Sequence, residues 1–514
     1  MAPMTAATSP PGLGNETTIV VPTMGRPSLD ALLDRLEENA AGTAATLPVV
    51  LVDDRPGTDD ADLAARAALE RPHLDVRVLT GGGRGPAHAR NLGWRASTTA
   101  WVSFLDDDVL PDRTWLELLA ADLHAAGPEV GASQANLRVP LPHDRRPTDW
   151  ERCTAGLETS QWITADLSCR RSVLAAVGGF DERFPRAYRE DADLGLRISA
   201  RWRIERGRRW VTHPVRPADD WVSVRTQAGN ADDVLMRRLH GPGWRHRAGA
   251  PAGRRTRHLL TAGSGLAAVG GLLSGRRGAA AGLAAAWLAG TTEFFLTRAL
   301  PGPRDREELR RMAITSAVIP FAASWHTVRG LLGHRHPAPW RGLPELVLFD
   351  RDGTLVDDVP YNGDPEAVHP VPGARRALDR LRSAGVRVGL VTNQSGVARG
   401  LIGEGDVHRV NARVEELLGP FATVQACLHG PADGCSCRKP EPGMVKAACH
   451  EVGVDADRCV LVGDIGSDVA AAESAGATGL LVPTPVTRPQ EVEAAVHVAA
   501  DLVEATDRIL AGRW

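Results

Sequence analysis

The chain has 514 residues, 43% of them hydrophobic and 24% charged, with a formal net charge of −3. That length exceeds one ordinary domain, the composition is globular, and the charge balance excludes the strongly basic character of nucleic-acid binders. Seven cysteines make no disulfide framework in a chain this long, and three of them crowd one loop, so a reducing, cytoplasmic setting is expected.

Residues 1–16 have neither the basic start nor the apolar core of a secretory signal and read as a disordered leader. From 17 to 245, apolar runs alternate with helical patterns. TTIVVP, LPVVLVDD, LDVRVLT and AWVSFLDDD read as buried strands, and SLDALLDRLEENA as a helix between them. This alternation predicts an α/β sheet.

Several of these strands end in chemistry-bearing residues. One ends on Asp53 and Asp54, another on Asp106, Asp107 and Asp108. An acidic triplet after an apolar strand can hold a divalent cation that bridges a sugar-nucleotide diphosphate. GGGRGPAHARNLG is a glycine-rich loop opening a helix, with Arg84 and Arg90 at hand. VGGFDERFPRAYREDADLGLRIS sets Glu190 and Asp191 at a helix start, where a carboxylate can deprotonate an acceptor hydroxyl or simply cap the helix.

Together VVPTMGRP, VDDRP, GPAHARNLG, LDDD and GGFDERF…YREDADLGLR resemble the family 2 glycosyltransferases of GT-A fold, over about residues 17–240. The resemblance implies a nucleotide-sugar donor and Mg²⁺ or Mn²⁺ on Asp106 and Asp108, with His213 near the metal. It also implies Asp54 at the nucleotide base or ribose, and Asp191 as the base of an inverting transfer. Arg90 and Glu190 stand as further substrate contacts. VDDRP departs from the commoner VDDGS. MRRLHG (236–241) is only a distant stand-in for Q-x-x-R-W, so processive polysaccharide synthesis is not expected.

Residues 246–340 form a basic linker, HRAGAPAGRRTRH, followed by three Ala/Gly-rich apolar segments at 258–275, 278–300 and 312–333. They approach bilayer-spanning length, with Arg between them and Glu293, His326 and Arg329 inside them. Two readings stay open: helices packed on the protein, or helices associated with the cytoplasmic face of a membrane, spanning it or lying in its interface.

Residues 341–514 return to α/β alternation. LVLFDRDGTLVDD puts Asp350 and Asp352 after an apolar strand, where one carboxylate can act as nucleophile and the other as proton donor. VRVGLVTNQSG ends on Thr392 and Asn393, whose side chains suit phosphate oxygens. CVLVGDIGSD supplies Asp464 and Asp468 for Mg²⁺, and Lys439 a compact positive charge for a phosphoryl group. A lone Asp after a strand is usually a turn or cap residue, but four such groups on successive strand ends are not explained by capping.

DRDGTL, TNQSGVARG, CRKPEPGM and GDIGSD resemble the haloacid dehalogenase superfamily of phosphatases, in the branch holding D,D-heptose 1,7-bisphosphate phosphatase and histidinol-phosphate phosphatase. The resemblance implies a Rossmann-like domain with Asp350 as nucleophile, Asp352 as general acid and then base, and Thr392 and Lys439 on the phosphate. It further implies Mg²⁺ on Asp350, Asp464 and the carbonyl of Asp352, with Asp468 behind them. Arg438, beside Lys439, is a further substrate contact.

Cys427, His429, Cys435 and Cys437 form a C-x-H-x5-C-x-C set in a Gly/Pro loop, which suits a closed tetrahedral, structural Zn²⁺. The chain has only two lysines, Lys439 and Lys446, and Lys439 follows the last ligand by two residues. A metal there would fix the loop that delivers it. The x5 spacing is nearer the histidinol-phosphate branch; RKPEPGM and residues 357–374 are nearer the heptose branch.

The expectation is a bifunctional glycan-biosynthesis enzyme acting on a phosphorylated sugar, a nucleotide-sugar donor and a glycan or lipid-linked acceptor. The alternatives are a histidinol-phosphate phosphatase fused to a glycosyltransferase, and a phosphatase tethered by a silent sugar-nucleotide or glycan-binding module.

Overall fold

The computed structural model describes residues 16–42, 45–57, 71–335, 337, 342–510, 512 and 514, so nearly all of the expected leader lies outside the described residues. The chain divides into two compact units, Met1–Pro339 and Trp340–Trp514. The apolar helices expected to form a separate region therefore belong to the first unit.

The first unit is built on an eight-stranded sheet of order β3-β2-β1-β4-β7-β6-β8-β5. Its strands are β1 Thr17–Thr23, β2 Leu47–Asp53, β3 Leu74–Thr80, β4 Trp101–Leu105, β5 Leu110–Pro111, β6 Val130–Arg138, β7 Asp166–Arg170 and β8 Arg203–Thr212. β1 pairs in parallel with both β2 and β4, and β7 runs antiparallel to β4. The apolar runs are continuous because helices cover both faces. Ile19 and Val21 point to the layer holding Leu29 and Leu33 of the helix Ser28–Ala40, while Val20 points to the opposite layer. There the helix Pro86–Ala96 crosses β1 so closely that a Cβ on Gly93 would lie 2.2 Å from Val20 Cγ1.

Strand order reverses at β1, with β2 on one side and β4 on the other. Loops part at such a point and leave a crevice beyond the carboxyl ends of the strands. Asp54 and Asp106–Asp108 follow β2 and β4 into that crevice.

Three helices close this unit: Arg255–Leu273, Arg277–Ala299 and Arg306–Gly333. The last packs lengthwise on the helix Gly229–His240, where a Cβ on Gly330 would meet Ala231 Cα at 2.8 Å. Arg298, 7% exposed, anchors the second helix: its guanidinium donates to Asp149, Thr315, Ser316 and Ser223.

The second unit is a five-stranded parallel sheet of order β11-β10-β9-β12-β13, with β9 Leu346–Phe349, β10 Arg387–Asn393, β11 Val424–Cys427, β12 Cys459–Gly463 and β13 Thr478–Leu481. β9 is buried throughout and lies between β10 and β12, so this sheet too reverses its order at the strand that carries the first catalytic candidate.

Candidate active sites

In the second unit the ends of β9, β10 and β12 meet at a cleft of about 570 Å³. Asp350, directly after β9, is 8% exposed. Lys439 Nζ sits 2.7 Å from Asp350 Oδ1 and 2.6 Å from Asp468 Oδ1, and donates to the Val391 carbonyl at 3.3 Å. It is a cation buried between two carboxylates, 3% exposed. Burial works against its charge, but Asp350 and Asp468 hold its pKa above the ordinary lysine value. Burial pushes the Asp350 carboxyl up to about 8, with Lys439 opposing and Asp468 adding to the rise. Burial and Asp468 push Asp464 up to about 6.

Oxygens of Asp350, Asp464 and Asp468 all lie within 4.8 Å of one another. Three carboxylates against one lysine leave surplus negative charge in a buried place, and hard oxygen donors fit Mg²⁺. Gly353 makes this approach possible: its φ is +75°, and a Cβ there would lie 2.6 Å from Asp464 Oδ2.

Asp352 lies apart from that cluster, in the cleft wall. It accepts from Arg351 at 2.9 and 3.0 Å and from Gln394 Nε2 at 2.8 Å. Gln394 also donates to Thr392 Oγ1 at 2.8 Å, so one amide orients two candidate residues. Arg351 is itself held by Asn411 Oδ1 at 2.8 Å. Gln394, Arg351 and Asn411 gave no sequence signal, because their task is to hold other side chains.

Asn393, read from sequence as a phosphate contact, lines the cleft and also holds the backbone of Lys439: Oδ1 accepts from the N–H at 3.1 Å and Nδ2 donates to the carbonyl at 3.1 Å. It positions the lysine. Arg438 lines the cleft and reaches back to the His429 carbonyl at 3.4 Å.

The Cys/His set converges. Cys427–Cys437, Cys435–Cys437 and Cys427–Cys435 sulfurs are 3.3, 3.5 and 3.7 Å apart, and His429 Nδ1 is 3.3 Å from Cys437 and 3.6 Å from Cys427. A tetrahedron with metal–sulfur bonds of about 2.3 Å has edges of about 3.7 Å, so the donor set fits zinc.

In the first unit a cleft of about 220 Å³ opens beyond β1 and β4, lined by Thr23, Arg26, Asp54, Asp106, Asp107 and Arg216 among others. Donor atoms of Asp106, Asp108 and His213 lie within 4.8 Å of one another, which brings His213 to the D-x-D pair as the sequence suggested. The middle carboxylate, Asp107, accepts from Thr23 Oγ1 at 2.8 Å and Arg26 Nη1 at 2.7 Å, tying β4 to β1. Arg216, which sequence reasoning passed over, pairs with Asp108.

Three other residues stand differently from their sequence reading. Asp54 accepts the backbone N–H groups of Arg84 at 3.0 Å and Gly85 at 2.8 Å, so it shapes the glycine-rich loop while lining the cleft. Arg90, 1% exposed, bridges Asp106 at 2.8 Å and Glu190 at 2.9 Å. Glu190, 2% exposed and pushed up to about 8 by burial and by Asp191, is locked to Arg90. Both are buried ties that help set the D-x-D geometry, while Arg90 also lines the cleft and its Nε and the Glu190 Oε2 make no hydrogen bond among the described residues. Asp191 remains partly open, and burial holds its carboxyl above the usual range, which makes it a stronger base. It follows Arg189, a non-glycine residue at φ 77° held by Asp233 at 2.8 Å.

Comparison with known proteins follows the same division into two parts. The model of glycosyl transferase family 2 matches residues 18–152. Models of haloacid dehalogenase-like hydrolases match residues 347–432 and 436–505. A Pseudomonas aeruginosa D-glycero-beta-D-manno-heptose-1,7-bisphosphate 7-phosphatase is 38% identical over 144 residues, 27% of this chain and 81% of that protein. The chain belongs to the haloacid dehalogenase-like hydrolases by its second unit, and its first carries a family 2 glycosyl transferase domain. One polypeptide thus joins a phosphatase domain and a glycosyltransferase domain.

Among solved structures, the D,D-heptose 1,7-bisphosphate phosphatase of B. bronchiseptica, complexed with magnesium and phosphate, is 33% identical. It covers 32% of this chain and 98% of its own, with a TM-score of 0.31. The mannosyltransferase of Pyrobaculum calidifontis, in complex with GDP-Man and Mn²⁺, is 21% identical and covers 61% of this chain and 87% of its own, with a TM-score of 0.39.

Proposed function

We propose that the chain serves glycan biosynthesis in the cytoplasm with two activities: Mg²⁺-dependent removal of one phosphate from D-glycero-D-manno-heptose 1,7-bisphosphate, and sugar transfer from a nucleotide-sugar donor to a glycan or lipid-linked acceptor. The observation that carries the phosphatase reading is the buried Asp350–Lys439–Asp468 array in the cleft that Asp352 also lines. Asp350 attacks phosphorus and forms an aspartyl-phosphate while Asp352 gives a proton to the departing sugar oxygen. Asp352 then takes a proton from the water that hydrolyses the phosphoenzyme. Thr392 and Lys439 hold the phosphoryl oxygens, and Lys439 balances their charge. Asp350, Asp464 and the Asp352 carbonyl would hold Mg²⁺, with Asp468 behind; the ion supplies charge neutralisation. Zn²⁺ on Cys427, His429, Cys435 and Cys437 would fix the loop that presents Arg438 and Lys439.

In the transferase, Asp106, Asp108 and His213 would hold Mg²⁺ or Mn²⁺ for the donor diphosphate, and Asp191 deprotonates the acceptor hydroxyl. The raised Asp191 supports that role.

The relatives' substrate supports the heptose reading, while the short His429–Cys435 spacing favours histidinol phosphate as a second one. Measuring kcat/KM for both compounds on the purified chain with Mg²⁺ separates them. A hundredfold preference for the heptose is expected; preference for histidinol phosphate would overturn the substrate assignment.

A further inference from the structure

Fifteen of the twenty-four large apolar side chains exposed among the described residues lie between Leu259 and Leu332, in the three-helix layer of the first unit. Leu260, Leu266, Leu272, Leu273 and Trp325 are 67, 66, 62, 85 and 65% exposed. A concentration of this kind on one layer marks a surface that something apolar covers.

The distribution of charge says what that is. Residues 258–275 and 278–292 contain no Asp, Glu, Lys or Arg. Arg254, Arg255 and Arg257 stand at one end of the hairpin formed by the first two helices, and Arg276 and Arg277 at its turn. Glu293, the one acid inside the hairpin, is paired with Arg254 and Arg257. An apolar band closed at both ends by arginines, five against the single acid Glu293, matches an acidic lipid leaflet, with acyl chains against leucine and headgroup phosphates against guanidinium.

The packing says how the layer would lie. Arg277–Ala299 is long and apolar enough to cross a membrane, at about 34 Å. However, Arg298 clamps its end to Asp149, and the third helix packs on the helix Gly229–His240. On that third helix Thr315, Ile319, Ala323, Thr327 and Gly330 face inward, while Ile314, Val318, Trp325, Val328 and Leu332 face out. A one-sided helix held against a folded domain lies in an interface and does not span it.

We propose that residues 255–333 form a membrane-docking layer, lying lengthwise in the headgroup–acyl boundary of an acidic bilayer with the arginines of both hairpin ends at headgroup depth. The transferase cleft would then work on a protein held at a membrane surface.

The test is flotation of the full chain with phosphatidylcholine vesicles, with and without 30% phosphatidylglycerol. Binding to the acidic vesicles is expected, at least tenfold stronger than to the neutral ones. Leu272→Glu/Leu273→Glu, at exposed positions, should lower the partition coefficient at least a hundredfold while leaving phosphatase activity intact. Arg276→Gln/Arg277→Gln should lower it about tenfold, for acidic vesicles alone. Bound chain should be released at alkaline pH in carbonate. No flotation, binding indifferent to the Leu substitutions, or a self-associated chain that these substitutions render monomeric would overturn the proposal; retention through carbonate would overturn the lengthwise placement.

Discussion

Replacing Lys439 with Met removes the one cation between Asp350 and Asp468 and leaves the side chain's volume nearly unchanged. The lysine lies 2.7 and 2.6 Å from the two carboxylates and is 3% exposed, so solvent screens the pairs little. Breaking a buried ion pair by deleting one partner costs about 3–5 kcal/mol, because the other is left uncompensated. In a unit of this size each kcal/mol moves the melting midpoint by about 2–4 °C, so the phosphatase transition should fall by about 10 °C. Asp350, already pushed up to about 8, can offset part of the loss by taking a proton. Its folded pKa is raised, and losing Lys439, which opposes that rise, lifts it further, so the relief is present at low pH and fades only above the parent's pKa; the deficit should grow with rising pH on the alkaline side. Calorimetry of the full chain in Mg²⁺-free buffer without chelator, with two transitions for two units, reads this directly. Adding Asp350→Asn to Lys439→Met should restore several degrees, since it removes one of the stranded charges. A Lys439→Met chain melting within 2 °C of the parent, or one that keeps phosphatase activity within tenfold, would refute the reasoning.

Three other expectations follow from separate parts of the molecule. Gly93→Val forces side-chain atoms onto Val20, whose Cγ1 is already 2.2 Å from a Cβ position, and should lower the stability of the transferase unit by about 1–3 kcal/mol, seen as a shift of its transition alone. Cys435→Ser should take zinc content, measured by mass spectrometry on protein grown with zinc, from near one per chain to near none; an unchanged content would remove the zinc assignment. Glu151 closes a capping box with Thr148, and Arg145 and the Thr148 backbone hold its carboxyl down at about 2. A depressed carboxyl contributes stability above pH 4.5 and loses it as pH falls toward 2, so the advantage of the parent over Glu151→Gln, about 1 kcal/mol at pH 7, should shrink at pH 4.

Strands were legible in the sequence wherever the parallel sheets made them continuous apolar runs, and so were the carboxylates that end them. Asp350, Asp464 and Asp468 converge as expected, as do the four Cys/His donors and Asp106, Asp108 and His213. What the sequence concealed was which polar groups serve other groups. Asn393, Arg90 and Glu190 stand in the right motifs, yet their hydrogen bonds go to Lys439 and to each other, a matter of burial that no spacing encodes. Gln394 and Arg216 escaped notice because nothing about a lone Gln or Arg distinguishes an orienting contact from a surface residue. The helical layer joins the first unit through the packing of its third helix on Gly229–His240 and through Arg298–Asp149, a pair 149 positions apart that no local pattern reveals.

The most direct measurement is ³¹P NMR of D-glycero-D-manno-heptose 1,7-bisphosphate with the full chain and Mg²⁺, beside the Asp350→Asn chain. The account predicts that the parent releases the C7 phosphate and leaves the anomeric phosphate in place, while Asp350→Asn releases nothing. Equal release by both chains, or none by either with Mg²⁺ present, would contradict it.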